Sequence, residues 1–343
     1  MLKSLKNVLG NLRQYPYNII FNPLTNAALA IAAILALIAD QFGQGYYLIF
    51  LITLALVIIG IWLESQKYDL YKHQAIPLPI VIKIANPADS NKALQSLFNI
   101  IETENKYKDH QNNLDQYLNI SETDLIFNYS CDIYDQEMLR AFLQILRYNL
   151  EKLKKKTPQN TIIYLAYIGP ISVAIMVGTI LATEGVKIFQ YNKSSDSYYP
   201  VVEISDRKLK EDIKEYEKFE RVVTGEGQDR VTIAIDVSSH KINLNDQSIE
   251  NYGDLIYLKS KGSGTIEKNE DWLQYSREIF KTINIAQQKN YQEIKLVYSM
   301  PITLGILVGM AVQQYWPILL TQYENSTYRN LINLQEFKLY RGQ

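Results

Sequence analysis

Ser172 and Thr303 each stand two residues after a proline, in Pro170-Ile-Ser172 and Pro301-Ile-Thr303. A hydroxyl in the first turn of a helix adds a donor to the free backbone N–H groups there, and together they suit a phosphate. Helix-start chemistry without a ligand is the plainer alternative. Other residues fall at expected strand ends. Ser238, Ser239, His240 and Lys241 follow one apolar run, and Lys259 and Lys261 follow another. Lysines offset phosphate charge, and Tyr167, Tyr298 and Trp272 offer faces on which a base can stack. Gly169 and Met300, directly before the two prolines, complete the candidate ligand-binding set.

Catalytic constellations do not assemble. The chain has no P-loop, GxGxxG, HExxH or GxSxG pattern. Asp132 with Asp135, and Asp236, offer isolated carboxylates for Mg²⁺, and His240 beside two serines offers a base; solvated loop residues explain these more simply. One cysteine, Cys131, and three scattered histidines leave no Cys/His zinc site and no disulfide framework. No metal, cofactor or enzymatic activity is expected. Lys+Arg 35 against Asp+Glu 36 gives net charge −1, so no basic field exists to hold a long nucleic acid. Any nucleotide partner is small and locally bound.

The elements that position these residues show an internal duplication. Ile163-Tyr-Leu-Ala-Tyr-Ile-Gly-Pro-Ile-Ser-Val-Ala-Ile-Met-Val-Gly178 aligns without gaps on Ile294-Lys-Leu-Val-Tyr-Ser-Met-Pro-Ile-Thr-Leu-Gly-Ile-Leu-Val-Gly309. Further on, Gln190-Tyr-Asn192 matches Gln322-Tyr-Glu324, and Tyr198 or Tyr199 matches Tyr328. Each copy reads as a buried strand, a tight turn and a helix with Pro at its first position, with Gly178 and Gly309 allowing close helix packing. Strands are expected at 79–85, 125–129, 162–167 and 186–191, then at 231–237, 255–259, 294–298 and 318–322. Helices are expected at 90–104, 135–155, 170–183, 270–289 and 301–314. The alternation predicts α/β architecture with two tandem Rossmann-like halves.

Between residues 22 and 63 only Asp40 is charged. The apolar runs at 24–39 and 46–63 predict two membrane-crossing helices joined by a polar turn. Lys3, Lys6 and Arg13 before them and Lys67 and Lys72 after them place both termini in the cytoplasm. Ala28, Ala32 and Ala36 form a small-residue stripe suited to contact between copies in the bilayer. The uncharged stretches at 157–183 and 296–323 open a rival reading, a four-span channel or transporter. A proline inside each favours strand and core helix instead. The expected organisation is an amphipathic segment at 1–22, two transmembrane helices at 23–63, a linker at 64–75, a first half at 76–206, a crossover at 207–228 and a second half at 229–343.

Val231-Thr-Ile-Ala-Ile-Asp-Val-Ser-Ser239, the 294–309 unit and Thr321-Gln-Tyr323 with Tyr328 resemble the SAVED domain, a fusion of two CARF-like folds. With the hairpin, the chain is similar to two-transmembrane SAVED effectors of CBASS anti-phage systems. The resemblance implies a cytoplasmic receptor for a cyclic oligonucleotide, usually a trinucleotide, in the bacterial inner membrane. Ligand binding would drive homo-oligomerisation, cluster the hairpins, permeabilise the bilayer and abort infection. Met300 departs from the small residue many members carry before the helix proline. A CRISPR-associated membrane CARF effector reading cyclic oligoadenylate is the nearest alternative.

Overall fold

The computed structural model describes residues 25–27, 29–31, 45–71, 75–103, 107, 109–157, 161–193, 195–205, 208–225, 227–262, 264, 266–312, 314 and 316–336. The chain divides into two compact units. One is Met1–Ile76 with Gln116–Asn119 and Lys155–Asn160; the other is Pro77–Asp115, Ile120–Lys154 and Thr161–Gln343.

In the first unit, helix α1 runs Gly45–Tyr71. It exposes Leu51, Ile52, Leu54, Ile58, Ile59 and Trp62. The expected transmembrane hairpin is not seen: among the described residues no helix is long and apolar enough to cross a membrane. Multi-pass inner-membrane placement therefore loses its basis. That expectation rested on the apolar runs at 24–39 and 46–63, each shorter than the about 20 consecutive apolar helical residues that a span needs. Side chains of α1 are described from residue 51 to 63 and at Ser65, and its backbone continues through Glu64, Lys67 and Asp69. Most of the expected first span, including Ala28, Ala32 and Ala36, and all of segment 1–22 lie outside the described residues.

The second unit holds two sheets. Strands β1 (Ile76–Ile84), β2 (Ile126–Tyr129), β3 (Thr161–Ile168), β4 (Gly185–Asn192) and β5 (Ser197–Ile204) form the first, in the order β2-β1-β3-β4-β5. Strands β6 (Phe219–Thr224), β7 (Arg230–Asp236), β8 (Asp254–Ser260), β9 (Glu293–Ser299), β10 (Ile318–Glu324) and β11 (Thr327–Asn333) form the second, in the order β11-β10-β9-β7-β8-β6. Removing β6 leaves the order of the first sheet repeated strand for strand. The likeness extends to detail. Strands β4 and β5 pair antiparallel with a slip between Ile188 and Phe189, and β10 and β11 pair antiparallel with a slip between Leu320 and Thr321. Those slips fall at equivalent repeat positions. Segment 207–228 carries a 3₁₀ turn at Lys208–Lys210 and β6, which pairs antiparallel with β8.

Helices α2 (Ser90–Thr103), α3 (His110–Leu118), α4 (Gln136–Lys156), α5 (Ile171–Leu181), α6 (Trp272–Gln288) and α7 (Ile302–Ala311) connect the strands. In α2 the buried Ala93, Leu94, Leu97, Phe98 and Ile101 recur at helical spacing, so one stripe faces the sheet. By contrast α5 and α7 are apolar on every side because each is enclosed: residues Ser172 to Gly178 and Thr303 to Ala311 are buried. That enclosure disposes of the four-span reading. The two helices cross at Gly178 and Gly309, where a Cβ on Gly309 would lie 2.0 Å from the Ile175 carbonyl oxygen.

Candidate ligand site

Sheet β2-β1-β3 ends in tight turns. The chain leaves β1 through Ala85, whose φ is +44°, with its N–H bonded to the Tyr129 carbonyl at 2.7 Å. It leaves β3 through Gly169, at φ +157°, where a Cβ would stand 2.8 Å from the Ile84 Cβ and 3.0 Å from the Tyr167 hydroxyl. Glycine is required by the close approach of β1. Pro170 then caps α5 at φ −68° and ψ 146°, and Pro301 caps α7 at φ −62° and ψ 148°. Each proline is the N-cap rather than the first helical residue expected, because its carbonyl already accepts from the first turn: Ala174 N–H to Pro170 O at 3.0 Å and Leu304 N–H to Pro301 O at 3.0 Å.

A cavity of 530 Å³ opens at these turns, lined by Asn86, Asp89, Lys92, Tyr167, Gly169, Tyr191, Asp196, Tyr198 and, from the second sheet's helix α7, Ile302. The volume lies within the about 300–1,000 Å³ of small-ligand sites. Its position, beyond the carboxyl ends of β1 and β3, is where open α/β sheets receive ligands. The Tyr191 and Tyr198 rings sit 5.4 Å apart on the paired strands β4 and β5. Tyr323 and Tyr328 make the same pair on β10 and β11, at 4.9 Å. The register thus identifies Tyr198, not Tyr199, as the counterpart of Tyr328. Burial pushes the Tyr198 phenol up to about 12 and that of Tyr167 well above its ordinary value, so both remain donors at neutral pH. Tyr167 donates to the Pro170 carbonyl at 2.9 Å.

Of the sequence-derived candidates, Tyr167 and Gly169 line this cavity. Ser172 and Thr303 are buried in reciprocal bonds between the sheets. Ser172 Oγ donates to Gln322 Oε1 on β10 at 2.9 Å, and Thr303 Oγ1 donates to Gln190 Oε1 on β4 at 3.2 Å. The repeated Gln-Tyr dipeptide signalled these partners. Ser172→Ala is therefore expected to destabilise by about 0.5–1.5 kcal/mol, the net contribution of a hydrogen bond to a half-buried acceptor. Thermal unfolding measures it, and unchanged stability with weakened nucleotide binding would return Ser172 to a ligand role. Tyr298 is buried, donates to the Thr321 carbonyl, and is held above its ordinary value chiefly by burial. Met300 is 4% exposed where the first repeat has Gly169.

The remaining candidates lie after β7 and at the end of β8. Ser238 Oγ and Ser299 Oγ are 2.6 Å apart, and the His240 N–H donates to Ser238 Oγ at 3.1 Å. Ser239, His240 and Lys241 are exposed. The Lys241 ammonium reaches Oδ1 of the fully buried Asp236 at 3.3 Å, and Tyr257 donates to Oδ2 at 2.9 Å. Lys259 is exposed beside Glu220 and Asp236 in register, and Lys261 Nζ donates to the Tyr216 carbonyl at 2.6 Å. Tyr191, Tyr198 and Asp196 were not among the sequence-derived site residues, whereas the strand-end segment from Asn86 to Lys92 was, and it lines the cavity. Lys92 and Asp196 meet only through the fold, 104 residues apart. Among the described residues no group of three or more His, Cys, Asp or Glu is placed to hold a metal ion.

No curated protein matches the chain. Three similar solved structures are Cap4 SAVED/CARF-domain containing receptors. That of Acinetobacter baumannii with the cyclic trinucleotide 2′3′3′-cAAA shares 13% identity over 86% of this chain and 61% of its own, at TM-score 0.48. The same receptor with 3′3′3′-cAAA shares 12% over 94% and 84%, at TM-score 0.49. The Moraxella osloensis receptor shares 14% over 80% and 54%, at TM-score 0.44. The chain thus spans 61% of the first of these and 54% of the last. Residues 147–334 match the profile of SAVED, the SMODS-associated and fused to various effectors sensor domain. With more than half of its 343 residues matched, the chain belongs to the SAVED family.

Proposed function

We propose that this chain is a receptor for a cyclic oligonucleotide in anti-phage defence, and that it senses rather than transforms its ligand. The observation that carries the reading is the cavity at the carboxyl ends of β1 and β3, which combines a lysine, three tyrosines and a residue of the second sheet's helix. Tyrosine faces stack on bases of any identity, while the lysine supplies charge for a phosphate. Membership in a sensor-domain family supports a receptor role, and the similar Cap4 receptors of Acinetobacter baumannii are solved with cyclic trinucleotides. In this reading the halves are 76–206 and 229–343, joined through 207–228. Tyr167 and Gly169 touch the ligand; Ser172, Tyr298 and Thr303 fix the geometry around it. Ser238, Ser239, His240, Lys241, Lys259, Lys261 and Met300 serve the second half's face. Ligand would also draw copies of the chain together, and an unchanged mass by light scattering at saturation contradicts that part.

Thermal unfolding of the full chain against cyclic di-, tri- and tetranucleotides tests the reading. A ligand at 100 times its Kd stabilises by about 2.7 kcal/mol. For a domain of this size the expected rise in Tm is about 5–10 °C. No rise with any member of the panel overturns it, and consumption of intact ligand on prolonged incubation overturns the sensor assignment.

A further inference from the structure

The cationic group of the cavity already has an anion. Lys92 lies in the first turn of α2, and its ammonium is bonded to Oδ2 of Asp196. Asp196 belongs to the turn between β4, which ends at Asn192, and β5, which begins at Ser197. Tyr191 donates its hydroxyl to the other carboxylate oxygen of Asp196 at 2.6 Å. All three side chains line the same 530 Å³ cavity. Asp196 is held at φ +48°, in the left-handed region that costs a non-glycine residue conformational energy. Its carboxylate is thus an oxyanion set between a lysine and a phenol donor, at the edge of a space lined by tyrosines.

We propose that Asp196 occupies the place of a ligand phosphate: Lys92 and Tyr191 are the phosphate contacts, and binding proceeds by exchange of the Asp196 carboxylate for the phosphate. This rests on the receptor reading above and adds the regulation of its site. Asp196 is an internal competitor that lowers affinity for any anion, so weakly charged ligands displace it least. Exchange also frees the β4–β5 turn from α2, which couples occupancy of the cavity to the position of that hairpin. The pair is half-exposed, at 54% for Lys92 and 58% for Asp196, which leaves it accessible to a solvated ligand and easily broken. The mutual hydrogen bond raises Lys92 and lowers Asp196 from their ordinary values, so both are charged near neutral pH.

The test is binding of the cyclic di-, tri- and tetranucleotide panel to the full chain and to Asp196→Asn, Lys92→Met and the double variant. Asp196→Asn removes the competitor while leaving Lys92 and Tyr191 in place. Expected is binding about 3- to 10-fold tighter than wild type, with a steeper loss of affinity as salt is raised. Lys92→Met weakens binding by about 10-fold, and in that background Asp196→Asn restores only part of the loss, because the Tyr191 hydroxyl alone is left to exchange the carboxylate for a phosphate. Weaker or unchanged binding in Asp196→Asn overturns the proposal, the former by showing that the carboxylate itself contacts the ligand. If wild type binds and the variants follow this pattern, both readings stand. If no protein binds any member, the receptor reading fails and takes the exchange with it. All four proteins are compared by circular dichroism, and the exposed positions are expected to leave the spectra superimposable.

Discussion

Gly309→Ala is expected to lower the melting temperature by about 6–12 °C. The added methyl would lie 2.0 Å from the Ile175 carbonyl oxygen and 2.9 Å from the Gly178 Cα. Both are main-chain atoms, so no rotamer change relieves the contact and helices α5 and α7 must separate. Overpacking typically costs about 1–3 kcal/mol. A backbone obstacle places this case at the upper end or beyond, and each kcal/mol lowers Tm by about 2–4 °C in a domain of this size. Separation would also strain the Ser172–Gln322 and Thr303–Gln190 bonds, which bridge the two sheets. Gly178→Ala meets the Ile306 carbonyl oxygen at 2.2 Å and should behave alike. Because both substitutions act on one crossing, the double variant should lose less than the sum of the two. A melting temperature within about 1 °C of wild type for Gly309→Ala would show that the helices do not cross at this point.

Glu278→Ala should cost about 3–5 kcal/mol, although the residue lies in no cavity described above. Its carboxylate is fully buried on α6. It accepts the N–H groups of Glu217 at 2.8 Å, Lys218 at 2.9 Å and Phe219 at 2.9 Å, and the Gln274 side chain at 3.0 Å. A buried charge is tolerable only when so satisfied. Removing it leaves three consecutive donors without this acceptor, and hydrogen bonds to a charged group contribute about 1.5–3 kcal/mol each. The same helix face holds the segment elsewhere: Arg277 donates to the Lys208 carbonyl at 2.8 Å, and Tyr216 and Thr282 hydroxyls are 2.9 Å apart. Detachment would strip β6 from β8 and expose a strand edge. Amide hydrogen exchange reads this directly, since residues 217–219 should lose protection in Glu278→Ala before the rest of the sheet. Retained protection at those amides would mean that the carboxylate is not what secures them.

What the sequence determined by itself was local and repeated. Strand, turn, proline and glycine recur in one order at 163–178 and 294–309, and period and turn chemistry are properties of neighbouring residues, so most strands could be located. The hairpin strands β5 and β11, the edge strand β6 and the helix α3 lay outside those expectations, because their strand pairing or burial depends on distant partners. The tertiary structure decided which solvent an apolar run meets. Helices α5 and α7 carry no charge because they enclose one another, and composition does not separate that from lipid. It also decided what the helix-start hydroxyls do. Ser172 and Thr303 could be aligned from sequence, yet their glutamine acceptors lie across the repeat, and Lys92 finds Asp196 only when β4 and β5 are folded beside α2. Side chains far apart along the chain share no local pattern, so only the packing of the two sheets brings donor to acceptor.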